Sequence, residues 1–184
     1  MHRNPLIEQL SVYKHQYPNE SQMVERYLAF VKANGDCFER SLKIGHVTGS
    51  AWVVNNVGSH VLLTHHRKLN IWVQLGGHAD GESDVVGVAR REVEEESGIE
   101  DIELVGDGIY DVDIHEIPAR GDEPKHYHYD ARYAFRVIGD EDYVVSDESH
   151  DLAWIEIDKL QELTDEWSMV RMAEKWKEVW NGKV

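Results

Sequence analysis

The stretch GGHADGESDVVGVARREVEEESGI, residues 76–99, constrains the fold of this chain more than any other part of it. Glu92, Glu94, Glu95 and Glu96 crowd one short segment that Gly98 then ends. A helix turns by about 100° per residue, so spacing alone assigns residues to faces. With Val85 as origin, Val85, Val86, Ala89 and Val93 fall between about 0° and 100°, and Val88 falls near 300°. Glu92 and Glu96 then lie inside or at the border of this apolar arc, near about 340° and 20°, with Glu95 close by near 280°. Glu94 and Arg90 point the other way. A merely solvated charge run would sit opposite the apolar face. Carboxylates on the packing side are costly to desolvate without a cation, and three at i, i+3 and i+4 converge on one patch. A hard divalent ion such as Mg²⁺ or Mn²⁺ suits such oxygen donors. A helix edge neutralised by Arg90 or Arg91 is the other reading, and periodicity does not separate the two.

The rest of the chain supplies a setting for that helix. The segments NPLIEQLSVYKHQYP and NESQMVERYLAFVKANG are helical in period and broken at Pro18. Asn19 or Ser21 is the expected cap of the second helix, Met23, Tyr27, Leu28 and Val31 its apolar side, and Gly35 its end. Then the period changes. HVTGSAWVVN and SHVLLTHH read as strands joined by an Asn/Gly turn, and NIWVQLGG reads as a third short strand. IELVGDGIYDVDIHEI and HYHYDARYAFRVIG read as long strands around the loop PARGDEPK. HDLAWIEIDKLQEL is a strand entering a short helix, and the chain closes in an amphipathic helix with Trp167, Val170, Ala173 and Trp176 on its apolar side. The class is mixed α and β in one domain: a helical extension over 1–43, a core over 44–163 and a terminal helix over 164–184.

Charge and composition exclude several functions. A formal net charge of −16 disfavours a sequence-blind grip on nucleic acid or an anionic membrane, because both need a basic footprint. An anionic partner is expected to arrive with metal ions. The single cysteine, Cys37, leaves neither an internal disulfide nor a thiolate zinc site. No segment approaches the roughly 18 to 20 apolar residues of a membrane span, nor does the start of the chain read as a signal peptide, so a cytoplasmic protein is expected.

Residues 77–99 resemble the Nudix box, a loop-helix-loop of pattern Gly, five residues, Glu, seven residues, Arg-Glu-apolar-any-Glu-Glu-any-Gly-apolar. Gly77, Arg91, Glu92, Val93, Glu95, Glu96, Gly98 and Ile99 match, while Ser83, flanked by Glu82 and Asp84, stands where the pattern has its first Glu. The resemblance implies a Nudix-type α/β/α sandwich with a mixed sheet, and hydrolysis of a pyrophosphate bond by water attack on phosphorus. It implies Mg²⁺ or Mn²⁺ on Glu92, Glu95 and Glu96, with the Gly77 carbonyl as a further donor. The general base is open between Glu95 and Glu148, which precedes the Trp154 strand. A non-catalytic nucleotide-binding module is the alternative from another class. Homodimers are common in the family, and the terminal helices offer apolar surface.

The chain also carries eleven histidines, with His65, His66, His78, His115, His126 and His128 near expected strand ends. Strand alternation puts His126, His128 and Asp130 on one face. With His46 and His78 they form either an imidazole-rich metal site or a polar cleft. Isopentenyl diphosphate isomerases share the Nudix fold and have a similar histidine pattern. They carry a catalytic cysteine before the corresponding Gly-His, where this chain has Gly76. Arg67, Lys68 and Trp72 are the expected substrate contacts, the cations for phosphate and the indole, or Tyr129, for a base. Burial of Trp72 in the core is the plainer reading. The loop before His126 is a candidate cover for the site.

Overall fold

Helix α1 (Asn4–Gln16) runs to Tyr17, where Pro18 begins a 3-10 turn (Pro18–Glu20) and then α2 (Ser21–Ala33). A computed structural model describes residues 2–67, 70–122, 124–146 and 149–181. The remaining elements in chain order are β1 (Gly45–Val54), β2 (His60–His66), β3 (Trp72–Val73), β4 (Leu75–His78), α3 (Val85–Ser97), β5 (Ile102–Leu104), β6 (Asp111–Ile117), β7 (His126–Val137), β8 (Ser149–Glu156), α4 (Leu160–Leu163) and α5 (Trp167–Asn181). By backbone contact the chain falls into two compact units. One comprises Met1–Ser50, Gly76–Arg90 and Gly106–Tyr133, the other Ala51–Leu75, Arg91–Val105 and Ala134–Val184. β1, α3 and β7 contribute residues to both.

In the first unit the expected helical pair is present, with adjustments. Val24 and Phe30 join Tyr27, Leu28 and Val31 in the buried side of α2, and Met23 is half-buried. Neither Asn19 nor Ser21 caps the helix: the cap position is Glu20, without a side-chain bond. At its other end Asn34 closes the helix, its amide donating to the Phe30 carbonyl at 2.8 Å. Arg3 donates to the Val31, Lys32 and Asn34 carbonyls at 2.6, 3.0 and 3.1 Å, which satisfies the terminal acceptors of α2 and locks α1 against it. The helices are tied to the strands of this unit: the Tyr27 hydroxyl donates to the Tyr129 carbonyl at 2.7 Å and the Tyr133 hydroxyl to Gln9 at 2.8 Å. Their apolar surface is largely spent here, since Leu6, Leu10, Tyr13 and Val24 are buried, although Val12 is exposed.

Strand β6 pairs antiparallel with β7, Asp111 opposite Arg132, Asp113 opposite Asp130 and His115 opposite His128. β7 also pairs β1, and β4 pairs β1. The Tyr127 N–H meets the Ile44 carbonyl at 3.2 Å while Thr48 and Ser50 reach Asp130, so β1 and β7 advance in the same direction and the sheet is mixed. Helix α3 lies against β1 at Gly49, where a Cβ would come 2.9 Å from the Val85 carbonyl and 3.2 Å from the Ala89 nitrogen. Only glycine permits that approach.

In the second unit β2 pairs antiparallel with β1 (Val53 opposite Leu62), β3 (His65 opposite Trp72) and β8 (Leu62 opposite Trp154), and β5 pairs β7. Two expected strands are split. NIWVQLGG forms β3 and β4, and the run from Ile102 to Ile117 breaks into β5 and β6 around Gly106 and Gly108. α5 buries Met169, Met172, Ala173 and Trp176, and the Trp176 indole donates to the Gly58 carbonyl at 2.8 Å. Trp167, expected on that apolar side, is 68% exposed because it occupies the first turn, before the buried stripe begins. Cys37 is buried, and burial raises its thiol to about 11, which keeps it protonated and unreactive at neutral pH. No helix among the described residues is long and apolar enough to cross a membrane.

Candidate active site

Helix α3 begins at Asp84, whose carboxylate accepts the Gly87 N–H at 3.2 Å while its carbonyl accepts that of Val88 at 2.9 Å. This is an N-cap. Glu82 accepts the Asp84 N–H at 2.9 Å, so the acids flanking Ser83 brace the loop through backbone groups. At the far end the Gly98 N–H bonds the Glu94 carbonyl at 2.8 Å with φ +74, a left-handed stop that glycine accepts without strain.

Between these ends Val85, Val88, Ala89 and Val93 are buried. The Glu92 side chain is 15% exposed and that of Glu95 62%. Glu96 is half-buried and Glu94 exposed. Glu92 and Glu96 thus do sit at the packing border, whereas Glu95 stands out in solvent. Arg91 lies between two of them, 3.0 Å from Glu92 and 3.6 Å from Glu95. The guanidinium is a counter-charge; carboxylate oxygens are the kind of donor a hard divalent cation takes, although Glu92, Glu95 and Glu96 are not gathered within 4.8 Å of one another as a set. Gly77 is half-buried on β4 in the first unit.

The first unit holds the histidines. His46 on β1 has its ring centroid 5.0 Å from that of His78 on β4, and 5.0 and 4.9 Å from those of His126 and His128 on β7. His78 and His128 are 4.9 Å apart, and His115 on β6 joins at 5.3 Å from His128. Ligand atoms of His46, His78 and His128 all lie within 4.8 Å of one another. Burial, then Arg40 and the neighbouring imidazoles, pushes His78 down to about 4. Burial, then His78, His115 and His46, pushes His128 down to about 2. Each takes up its proton near pH 6.5 in the unfolded chain but only at these lower values when folded. Their contribution to stability is therefore complete above pH 6.5 and lost as the pH falls towards 4. Thermal melts in chelator should show a plateau above pH 6.5 and a declining Tm between pH 6.5 and 5, a window above ordinary carboxylate titration. A flat Tm through that window would contradict it.

Asp130 does not join the histidines. Its carboxylate accepts from Thr48 and Ser50, both at 2.8 Å, and from Arg132 at 2.8 Å. Arg132 also meets Asp111 at 3.2 Å and Asp113 at 3.4 Å. Burial alone would lower the Arg132 pKa, but Asp130, Asp111 and Asp113 raise it, so the guanidinium stays charged. Sequence reading missed this network, although the alternation of DVDIHEI against HYHYDAR contains it: period 2 puts Asp111, Asp113 and His115 on one face of β6. Tyr129 is no base-stacking platform, because it is buried and stacked on Phe30 at 3.7 Å.

In the second unit Trp72 is half-buried and stacked on His65 at 5.1 Å, which in turn lies 5.4 Å from His150. His65 thus belongs to a different group from the five imidazoles. Arg67 is exposed and donates to the Ser149 carbonyl at 3.1 Å. Lys68 and Glu148 lie outside the described residues. At Gly76 a Cβ would come 2.8 Å from the Ser50 Cα, so the packing of β4 on β1 leaves no room for the cysteine that an isomerase of this fold requires.

The NUDIX domain family model matches residues 46–176. Among solved structures, a C. elegans Ap4A hydrolase complex is similar with a TM-score of 0.60 at 19% identity, over 74% of this chain and 98% of that one. A NUDIX-family hydrolase from Clostridium perfringens gives 0.59 at 22% identity, over 73% and 97%. The E. coli dihydroneopterin triphosphate pyrophosphohydrolase gives 0.57 at 17% identity, over 70% and 92%. No curated protein sequence is a significant match. The family match spans the box helix and most of the strands, and the likenesses agree with it in fold: the chain belongs to the Nudix family of pyrophosphate-bond hydrolases.

Proposed function

We propose that this protein hydrolyses the pyrophosphate bond of a nucleoside diphosphate derivative or a related diphosphate, with Mg²⁺ or Mn²⁺ held by Glu92, Glu95 and Glu96. The observation that carries the reading is the low exposure of Glu92 beside half-buried Glu96 on the buried-valine side of α3. Divalent ions, when bound, neutralise the diphosphate charge and lower the pKa of water. The chain's own part is to hold acidic oxygens ready and to take a proton. Glu92 and Glu96, restrained by the packed helix, are the holding groups. Glu95, exposed and 3.6 Å from Arg91, is both a holding group and one candidate for the base that accepts the proton of the attacking water. Glu148 is the second candidate base. Arg67 and Lys68 are assigned to phosphate and Trp72 to a base or other flat group.

The names of the similar structures, an Ap4A hydrolase and a dihydroneopterin triphosphate pyrophosphohydrolase, support phosphate anhydrides as the class to test. The test is product release from a panel of such compounds, with Mg²⁺, with Mn²⁺ and with chelator. Turnover of one compound class that chelator abolishes is the expected result. Tight, metal-independent binding of one compound with no turnover across the panel would overturn the catalytic reading in favour of a nucleotide-binding module.

A further inference from the structure

We infer that His46, His78 and His128 form a separate binding site for a borderline transition-metal ion of the Zn²⁺ type, distinct in chemistry from the acidic set on α3. Three strands deliver the three rings. His46 comes from β1, 2% exposed, His78 from β4 and His128 from β7, and their ligand atoms already lie within 4.8 Å of one another. Nitrogens on a tetrahedral ion at about 2.0–2.1 Å stand about 3.3 Å apart, so modest side-chain rotation closes the set.

The surroundings distinguish this group from ordinary hydrogen-bonded histidines. His126 donates from Nδ1 to the Pro124 carbonyl at 2.9 Å. His115 donates from Nδ1 to Asp113 at 3.1 Å, the only direction a carboxylate acceptor allows. By contrast, the Nε2 of His128 is buried with no hydrogen-bond partner among the described residues. A buried, unpartnered imidazole nitrogen beside two further imidazoles is the arrangement a cation completes. Several charged imidazoles this close would repel one another, so the set offers neutral rings with lone pairs. His115, held by Asp113, whose carboxylate also meets Arg132, steadies the edge of His128 from β6.

An all-imidazole set selects against Mg²⁺, which prefers oxygen and keeps its waters. It favours Zn²⁺ or Co²⁺, with three protein ligands and one position open. Such an ion would cross-link β1, β4 and β7 within the first unit.

The test is titration of chelator-treated full-length protein with Co²⁺, followed by its absorption spectrum, and with Zn²⁺ by calorimetry. The expected result is one equivalent bound through nitrogen, with a raised Tm. His78→Ala and His128→Asn should each weaken binding at least about a hundredfold, since outer-shell changes alone cost about 10–100-fold. Circular dichroism and a cooperative thermal transition in chelator would show that the variants remain folded. A Glu92→Gln, Glu95→Gln, Glu96→Gln triple variant should lose turnover yet keep the Co²⁺ spectrum. Absence of saturable Co²⁺ or Zn²⁺ binding to wild type would overturn the site. So would binding that survives both histidine changes or disappears with the glutamates.

Discussion

Changing Glu95 and Glu96 together to Gln is expected to lower turnover of the diphosphate substrate about a thousandfold while leaving the fold intact. Removing one group that stabilises transition-state charge costs about 10²–10³ in kcat, and this change removes two of the three acidic donors proposed above. The loss should fall on kcat, because the developing charge rather than the ground state needs the cation. Folding should be little affected: Glu95 is 62% exposed, Glu96 half-buried, and Gln matches their size. Relief of repulsion along the helix would if anything raise Tm. Steady-state kinetics with Mg²⁺ and a thermal melt on the same sample decide it. A loss below tenfold with unchanged metal dependence would remove Glu95 and Glu96 from the chemistry.

The second large effect concerns stability. Arg132→Met is expected to destabilise the protein by about 3–5 kcal/mol, because breaking a buried ion pair on one side leaves uncompensated buried charge. Asp111 and Asp130 are almost fully buried, and Arg132 is 2% exposed. Methionine fills much of the arginine volume, so the cost reflects lost charge and hydrogen bonds more than a cavity. Adding Asp111→Asn and Asp130→Asn to Arg132→Met should recover part of the loss, since neutral amides are cheaper to leave beside a thioether than carboxylates. Urea unfolding of the single and triple variants measures both. A single-variant loss under about 1 kcal/mol, or a triple variant with the summed penalty, would contradict the reading.

Helix α3 shows how far local rules reach. Its start at Asp84, its stop at Gly98 and the border position of Glu92 and Glu96 follow from helical geometry and from what an aspartate and a glycine do at helix ends. The β1–β2 connection was legible for the same reason, as an Asn/Gly turn between two apolar runs. Trp167 marks the limit of periodicity: a residue in the right phase still reaches solvent when the stripe has not yet met its partner.

The residues around the histidines required more than local rules. Alternation put His126, His128 and Asp130 on one face of β7, and all three are on it, yet Asp130 is taken by Thr48, Ser50 and Arg132. Which side chains share a site depends on which strands become neighbours and in what register, and strand pairing joins segments far apart in the chain. His65 and His78 looked alike in sequence, but one stacks on Trp72 in the second unit and the other meets His46 and His128 in the first. The sequence by itself determined the acidic helix, its ends and the family, because those are written in spacings within a few turns. Only the tertiary structure decided which imidazoles meet, what surrounds Arg132 and why glycine stands at positions 49 and 76, because burial and close approach are properties of packed neighbours.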